Sequence, residues 1–177
     1  MLPLGLPEGR YQVRVAAGTA ALAGSVICDL EVPDFTQPLS MSGVALTSTR
    51  ARDVVTVQPK GPVHAALPGP PTASRDFDAD ETLVWYVEVY ESTKARATHL
   101  VEMTSQLRGE DGRTLRAIVE ERPSVVVQGK TATYSFTPSL PLSDVPPGRY
   151  VLHLEARSSA AGAKAVTRDI PFRRVGT

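Results

Sequence analysis

Pro146-Pro147-Gly148-Arg149-Tyr150-Val151-Leu152-His153-Leu154-Glu155-Ala156 restates Pro7-Glu8-Gly9-Arg10-Tyr11-Gln12-Val13-Arg14-Val15-Ala16-Ala17. Each copy opens with Gly-Arg-Tyr and continues as an alternating strand. In the first copy Tyr11, Val13, Val15 and Ala17 share one face, and Gln12, Arg14 and Ala16 share the other, the pattern of a half-buried strand. A second strand follows each copy, ending Asp29-Leu30-Glu31-Val32 and Asp169-Ile170-Pro171-Phe172. The repeat spacing is about the length of the chain from residue 39 onward. Residues 1–38 therefore read as the last hairpin of a truncated β-domain plus a linker, and residues 39–177 as a complete β-domain. The boundary falls at Pro33-Asp34-Phe35-Thr36-Gln37-Pro38, because proline cannot donate to a strand ladder.

The strongest strand in the second unit runs from Thr82 to Tyr90. Leu83, Trp85, Val87 and Val89 lie on one face, Val84, Tyr86, Glu88 and Tyr90 on the other. Both faces are largely apolar, which places this strand centrally with Trp85 in the core. Met41 to Thr47 reads as a first strand, and residues 98–108 place Val101, Met103 and Leu107 on one side. Glu110-Asp111-Gly112 turns the chain into residues 113–121, since an Asp-Gly step favours a tight hairpin. Ala132, Tyr134 and Phe136 alternate in the next strand, and strands over 149–157 and 165–174 close the fold. Residues 50–81, with prolines at 59, 62, 68, 70 and 71, form a long surface loop with a short β run at Val54–Val57 and an edge strand near Thr72 to Phe77. The fold class is all-β: an antiparallel sandwich of about seven strands. Its Pro-Gly-Arg-Tyr entry resembles the tyrosine corner of immunoglobulin-like and fibronectin-like sandwiches, with Tyr11 and Tyr150 bonding back to the preceding turn.

Composition narrows function by exclusion. Nineteen basic and nineteen acidic residues balance, which argues against a nucleic-acid or anionic-membrane footprint. No apolar run reaches the length of a spanning helix. Met1 to Pro7 lacks a signal peptide's basic start and apolar segment, so any export signal is expected upstream of Met1. The single cysteine, Cys28, cannot form an internal disulfide and is expected in the core with Val26, Leu30 and Val32.

The sharpest candidate for chemistry is Asp76-Phe77-Asp78-Ala79-Asp80-Glu81, where Asp76, Asp78 and Asp80 could converge on calcium. An EF-hand loop needs glycine where Glu81 stands and glutamate where Val87 stands, so the favoured reading is a solvated entrance to the central strand, and no metal is expected. His64, His99 and His153 lie in separate segments without zinc spacing, and His153 with Glu155 reads as a surface pair. Motif searches for a nucleophile elbow, a phosphate loop, a zinc helix or a catalytic cysteine are empty. The expectation is a non-enzyme without cofactors. Tyr86 and Tyr90 form a possible carbohydrate- or cell-surface-binding face, although a covering loop from the proline-rich segment is the favoured arrangement.

Several stretches carry a family resemblance: Gly24 to Phe35, Pro38 to Gly43, Leu67 to Thr72, Glu88-Val89-Tyr90, and Pro147 to Tyr150 with Glu155-Ala156-Arg157. Together they resemble the C-terminal β-region of VWFA-related proteins of acidobacteria and similar soil bacteria. The resemblance implies that a von Willebrand factor A-like domain precedes this region, behind an export signal, in an extracellular or cell-envelope parent. The adhesion motif Asp-x-Ser-x-Ser is absent here, so no metal ligands carry over. The implied role is a non-catalytic module that positions the upstream domain of the same protein or contacts another protein.

Overall fold

A computed structural model describes residues 5–53, 62–92, 98–124, 131–160 and 163–176. Strands dominate it. β1 (Gly9–Gly18) and β2 (Ala23–Val32) form a two-stranded antiparallel sheet of their own. The remaining strands build two packed sheets. The first is centred on β6 (Thr82–Ser92), which pairs along one edge with β3 (Leu39–Met41) and β4 (Ala45–Ser48), and along the other with β9 (Thr131–Phe136) and β10 (Ser139–Pro141). The second runs β5 (Asp76–Phe77), β12 (Val166–Arg174), β11 (Gly148–Ser158), β7 (Leu100–Gly109), β8 (Thr114–Pro123), antiparallel except for the short β5–β12 pair.

The two sheets number five strands each, more than the seven or so expected: the expected strand from Met41 to Thr47 is broken in two, β10 was not expected, and β5 is the short edge strand expected near Thr72 to Phe77. Met41 to Thr47 divides into β3 and β4 around Ser42-Gly43-Val44, where Ser42 N still donates to Glu88 O at 2.9 Å. Pro138 divides β9 from β10, since it has no N–H for the ladder; its carbonyl accepts from Trp85 N at 3.3 Å. The proline-rich region contributes a 3-10 turn (Thr49–Asp53), a short helix α1 (Pro62–Ala66) and β5. The expected run Val54–Val57 lies outside the described residues.

Alternation on β6 makes it the spine of the core. Leu83, Trp85, Val87 and Val89 are fully buried and face Val101, Met103, Leu107, Leu152 and Leu154 of the second sheet. The opposite face of β6 is closed by a thinner layer, in which Val84 and Tyr86 pack on Leu67 and α1. Gly112, at φ +76°, makes the β7–β8 turn, a conformation that favours glycine.

Both ribbons carry the tyrosine corner. Tyr150 Oη donates to Pro146 O at 2.8 Å, and Tyr11 Oη to Pro7 O at 3.0 Å, each four residues back. Each ring lies against the glycine two positions before it: a Cβ would sit 3.5 Å from the Tyr150 ring at Gly148, and 3.6 Å from the Tyr11 ring at Gly9. The pairings also correspond: Tyr11 faces Leu30 and Val13 faces Cys28, as Tyr150 faces Phe172 and Leu152 faces Ile170. The equivalent of Phe172 is thus Leu30, two residues off the match suggested by the Asp29 and Asp169 runs. A two-residue slip preserves the faces of a strand, which is why the sequence match hides it.

The corners differ in burial, and that generates a contrast. Tyr150→Phe is expected to lower the urea unfolding free energy by about 1 kcal/mol, the net worth of one hydrogen bond. Tyr11→Phe is expected to leave the main transition unchanged, because its ribbon lies outside the core. Equal losses from the two variants would contradict this.

Candidate functional site

The β1–β2 ribbon has two unlike faces. Cross-strand partners place Tyr11, Val13 and Val15 with Leu30, Cys28 and Val26 on one side. On the other, Arg10 lies 3.8 Å from Glu31, Gln12 Nε2 donates to Asp29 Oδ1 at 3.2 Å, and Arg14 Nη2 donates to Ser25 Oγ at 3.5 Å. Both faces are largely exposed, the apolar one included. Val15 is 64% exposed and Val26 69%, whereas Leu154, the equivalent of Val15, is 0% exposed and Phe172, the equivalent of Leu30, is 4%. Cys28, expected in the core, is exposed: it sits where Ile170 is buried in the second ribbon, but no second sheet faces it among the described residues.

The linker to the sandwich is structured by its own side chains. Asp34 Oδ1 accepts from Thr36 N at 2.8 Å and Thr36 Oγ1 at 2.6 Å, and Oδ2 accepts from Gln37 Nε2 at 2.5 Å. The hydrogen bond from Thr36, then that from Gln37, holds the Asp34 carboxyl down at about 2. Phe35 meets Tyr90 edge-on, with ring centroids 4.7 Å apart at 81°, and Ser92 N donates to Pro38 O at 3.1 Å. The ribbon is thereby anchored to the end of β6.

Tyr86 and Tyr90 do not offer open rings. Tyr86 is 5% exposed beneath Leu67, and Phe35 stands against Tyr90. Both hydroxyls donate to the Glu88 carboxylate between them, Tyr86 at 2.6 Å. Burial first, and the Glu88 carboxylate second, push both phenols above their ordinary range.

The acidic run is split apart. Asp76 takes a bidentate contact from Arg173, Nε at 3.0 Å and Nη2 at 2.7 Å, which holds its carboxyl below the usual range. Asp78 and Asp80 both pair with Arg50. Glu81 turns inward, accepting from Ser48 Oγ at 2.6 Å and Asp78 N at 2.7 Å. Asp76, Asp78 and Asp80 therefore do not converge, and no group of three metal-ligating side chains gathers among the described residues. His153 Nδ1 pairs with Asp169 at 2.6 Å, and its Nε2 lies 4.0 Å from Glu155. A cleft of about 420 Å³ at the end of the second sheet is lined by Arg75, Arg149, Tyr150, Pro171 and Arg173 among others; Arg173 pairs with Asp76 and Arg149 with Glu110 at 3.9 Å, and Arg75 donates to the Ser74 carbonyl at 2.8 Å.

One polar cluster escaped the sequence. Glu91, at the end of β6, is 4% exposed. Its carboxylate receives Ser158 Oγ of β11 and Tyr134 Oη of β9 at 3.2 Å, and lies 2.7 Å from His99 Nε2. Glu91 and His99 are 8 residues apart, and Tyr134 and Ser158 lie much further along, with no shared motif. Ser158 bonds Oε1 of this carboxylate, and Oε2 faces His99 and Tyr134. Its geometry is that of a tie between the two sheets.

No protein-family model matches the chain, and no curated protein matches it. Among solved structures, the C-terminal domain of Wzt superposes with a TM-score of 0.49 at 13% identity, over 80% of this chain and 75% of that one. A family 123 glycoside hydrolase from Clostridium perfringens gives 0.39 at 12% identity, over 80% of this chain and 28% of the hydrolase. No helix among the described residues is long and apolar enough to cross a membrane.

Two outcomes follow from this geometry. Glu91→Ala removes a buried acceptor shared by several donors and is expected to cost about 2–4 kcal/mol in chemical denaturation; a loss below that of an exposed Glu121→Ala control would contradict the tie. In an NMR titration of the Asp34 carboxyl, the midpoint is expected at about 2, moving up toward 3.8 in Thr36→Ala. The depressed value means that the linker turn is intact above the ordinary carboxylate range and loosens only as pH falls through about 2; an ordinary midpoint in the parent chain would show the turn is not held.

Proposed function

We propose that this chain is a non-catalytic, immunoglobulin-like accessory module, the C-terminal part of a larger exported VWFA-related bacterial protein, which positions the domain ahead of it and makes protein contacts. The observation that carries the reading is the bare β1–β2 face, which has the pattern and register of the buried β11–β12 face. A sheet face of core composition signals a neighbour. Residues 1–38 are then the end of one β-domain and residues 39–177 the next. The Asp34 turn and the Phe35–Tyr90 contact support a positioning role, because they fix the linker where a Gly/Ser-rich one would leave it free. The non-catalytic part rests on the motif-free sequence and on the structural engagement of Glu91. Burial of the Tyr86 ring and the half-buried position of the Tyr90 ring against Phe35 weigh against the carbohydrate-binding alternative.

Two measurements test this. Reading the coding frame ahead of Met1 is expected to reveal an export signal and an A-like domain bearing Asp-x-Ser-x-Ser; an in-frame stop just before Met1 would contradict the context. Deleting residues 1–38 is expected to leave a protein that still unfolds cooperatively in urea, with a loss of about 1 kcal/mol from the Phe35–Tyr90 contact. Abolished cooperativity would show that the ribbon belongs to one larger sandwich.

A further inference from the structure

The covered ribbon shows what belongs beside the bare one. β11 is bonded on one edge by β12 and on the other by β7, which sets Tyr150 opposite Gly109, Leu152 opposite Leu107, Leu154 opposite Ser105 and Ala156 opposite Met103. β1 is bonded on one edge by β2, and among the described residues nothing pairs with the other. That edge is a row of unsatisfied N–H and C=O groups beside an apolar face, a template for strand addition. A two-stranded hairpin alone is at best marginally stable in water, so a third strand has much to contribute.

We propose that β1 accepts an antiparallel strand along this edge, supplied by a β-domain preceding it in the same polypeptide, as β7 supplies β11. The inference rests on the reading of the chain as a tail module and goes beyond it by giving the donor's chemistry. By the β7 pattern, the donor residue opposite Tyr11 is small, since the Tyr150 ring lies over Gly148 with Gly109 across from it. The residues opposite Val13 and Ala17 are large and apolar, in the places of Leu107 and Met103, and the one opposite Val15 is small, in the place of Ser105. A sheet face like that of Leu83, Trp85 and Val87 then closes over Val13, Val15, Val26 and Cys28. The charged reverse face, with its Arg10–Glu31 pair, stays in water. The direction of the ladder places the end of the donor next to the start of β1, where Gly109 meets Tyr150.

A tethered strand tests this on the chain from Leu6 onward. The segment Leu-Val-Glu-Met-Thr-Ser-Gln-Leu-Arg-Gly, the sequence of β7, is joined through a short Gly/Ser linker to Leu6. One control shifts its pattern by one residue, turning the apolar positions to the polar side; a second scrambles it. The matched tether is expected to slow amide exchange across Arg10 to Ala17 by about tenfold or more relative to both controls, without changing exchange in β8. Equal exchange in the three proteins would overturn the proposal. So would a concentration-dependent protection of β1 in the untethered chain, accompanied by a dimer mass in analytical ultracentrifugation, because a second copy would then be the occupant. Failure of the tether with an A-like domain encoded upstream sinks the strand-addition inference alone; an upstream frame without one sinks the functional reading and leaves the edge chemistry standing or falling on the tether.

Discussion

An apolar sheet face has to be covered by another, and this molecule presents the same face covered and bare. At β11–β12, Tyr150, Leu152, Leu154, Ile170 and Phe172 are buried against the sheet built on β6. At β1–β2 the corresponding Tyr11, Val13, Val15, Cys28 and Leu30 meet no opposing sheet among the described residues. Fully burying one such side chain is worth about 1.5–3 kcal/mol, so the sandwich half of the chain has a strong driving force that the ribbon lacks. Local chemistry is common to both: the tyrosine hydroxyl reaches back four residues to a proline carbonyl, and the ring lies on a glycine. The corner sets the shape of the ribbon; the opposing layer sets its stability.

The rest of the structure serves that contrast. β6 is buried on both sides, by the second sheet beneath it and by Leu67 and α1 above. The Glu91 carboxylate draws β6, β9 and β11 together at one end of the sandwich, while Glu81 draws β4 to the turn before β6 at the other. The linker leaves from the Glu91 end, where Phe35 stands on Tyr90. On the proposed reading a bare ribbon on a fixed stem is a connector, while the Glu81 and Glu91 carboxylates fasten the sandwich.

How much of this was legible in the sequence depends on the range of each interaction. Period-two alternation revealed β6, β9 and both tyrosine ribbons, and the Asp111-Gly112 step revealed the β7–β8 turn, because these follow from neighbours in the chain. The division of Met41 to Thr47 into two strands was hidden, since Ser42 keeps one ladder bond while the strand bends away. The Glu91 cluster was hidden because its partners meet only in the folded sheets. Cys28 was misread as core from its own alternation: alternation tells which side of a strand is apolar, and only the opposing layer decides whether that side is dry. Alternate spacing allowed Asp76, Asp78 and Asp80 to converge, a reading the sequence did not favour, and Arg173 and Arg50 divide them between two partners.

Residue-resolved hydrogen exchange of the unmodified chain puts the central idea to the most direct test. Amides of β11 and β12 should exchange only with global unfolding, and those of β1 and β2 should exchange orders of magnitude faster through local opening. Matching protection of the two ribbons would contradict the account, because it would mean that the first already has its covering layer.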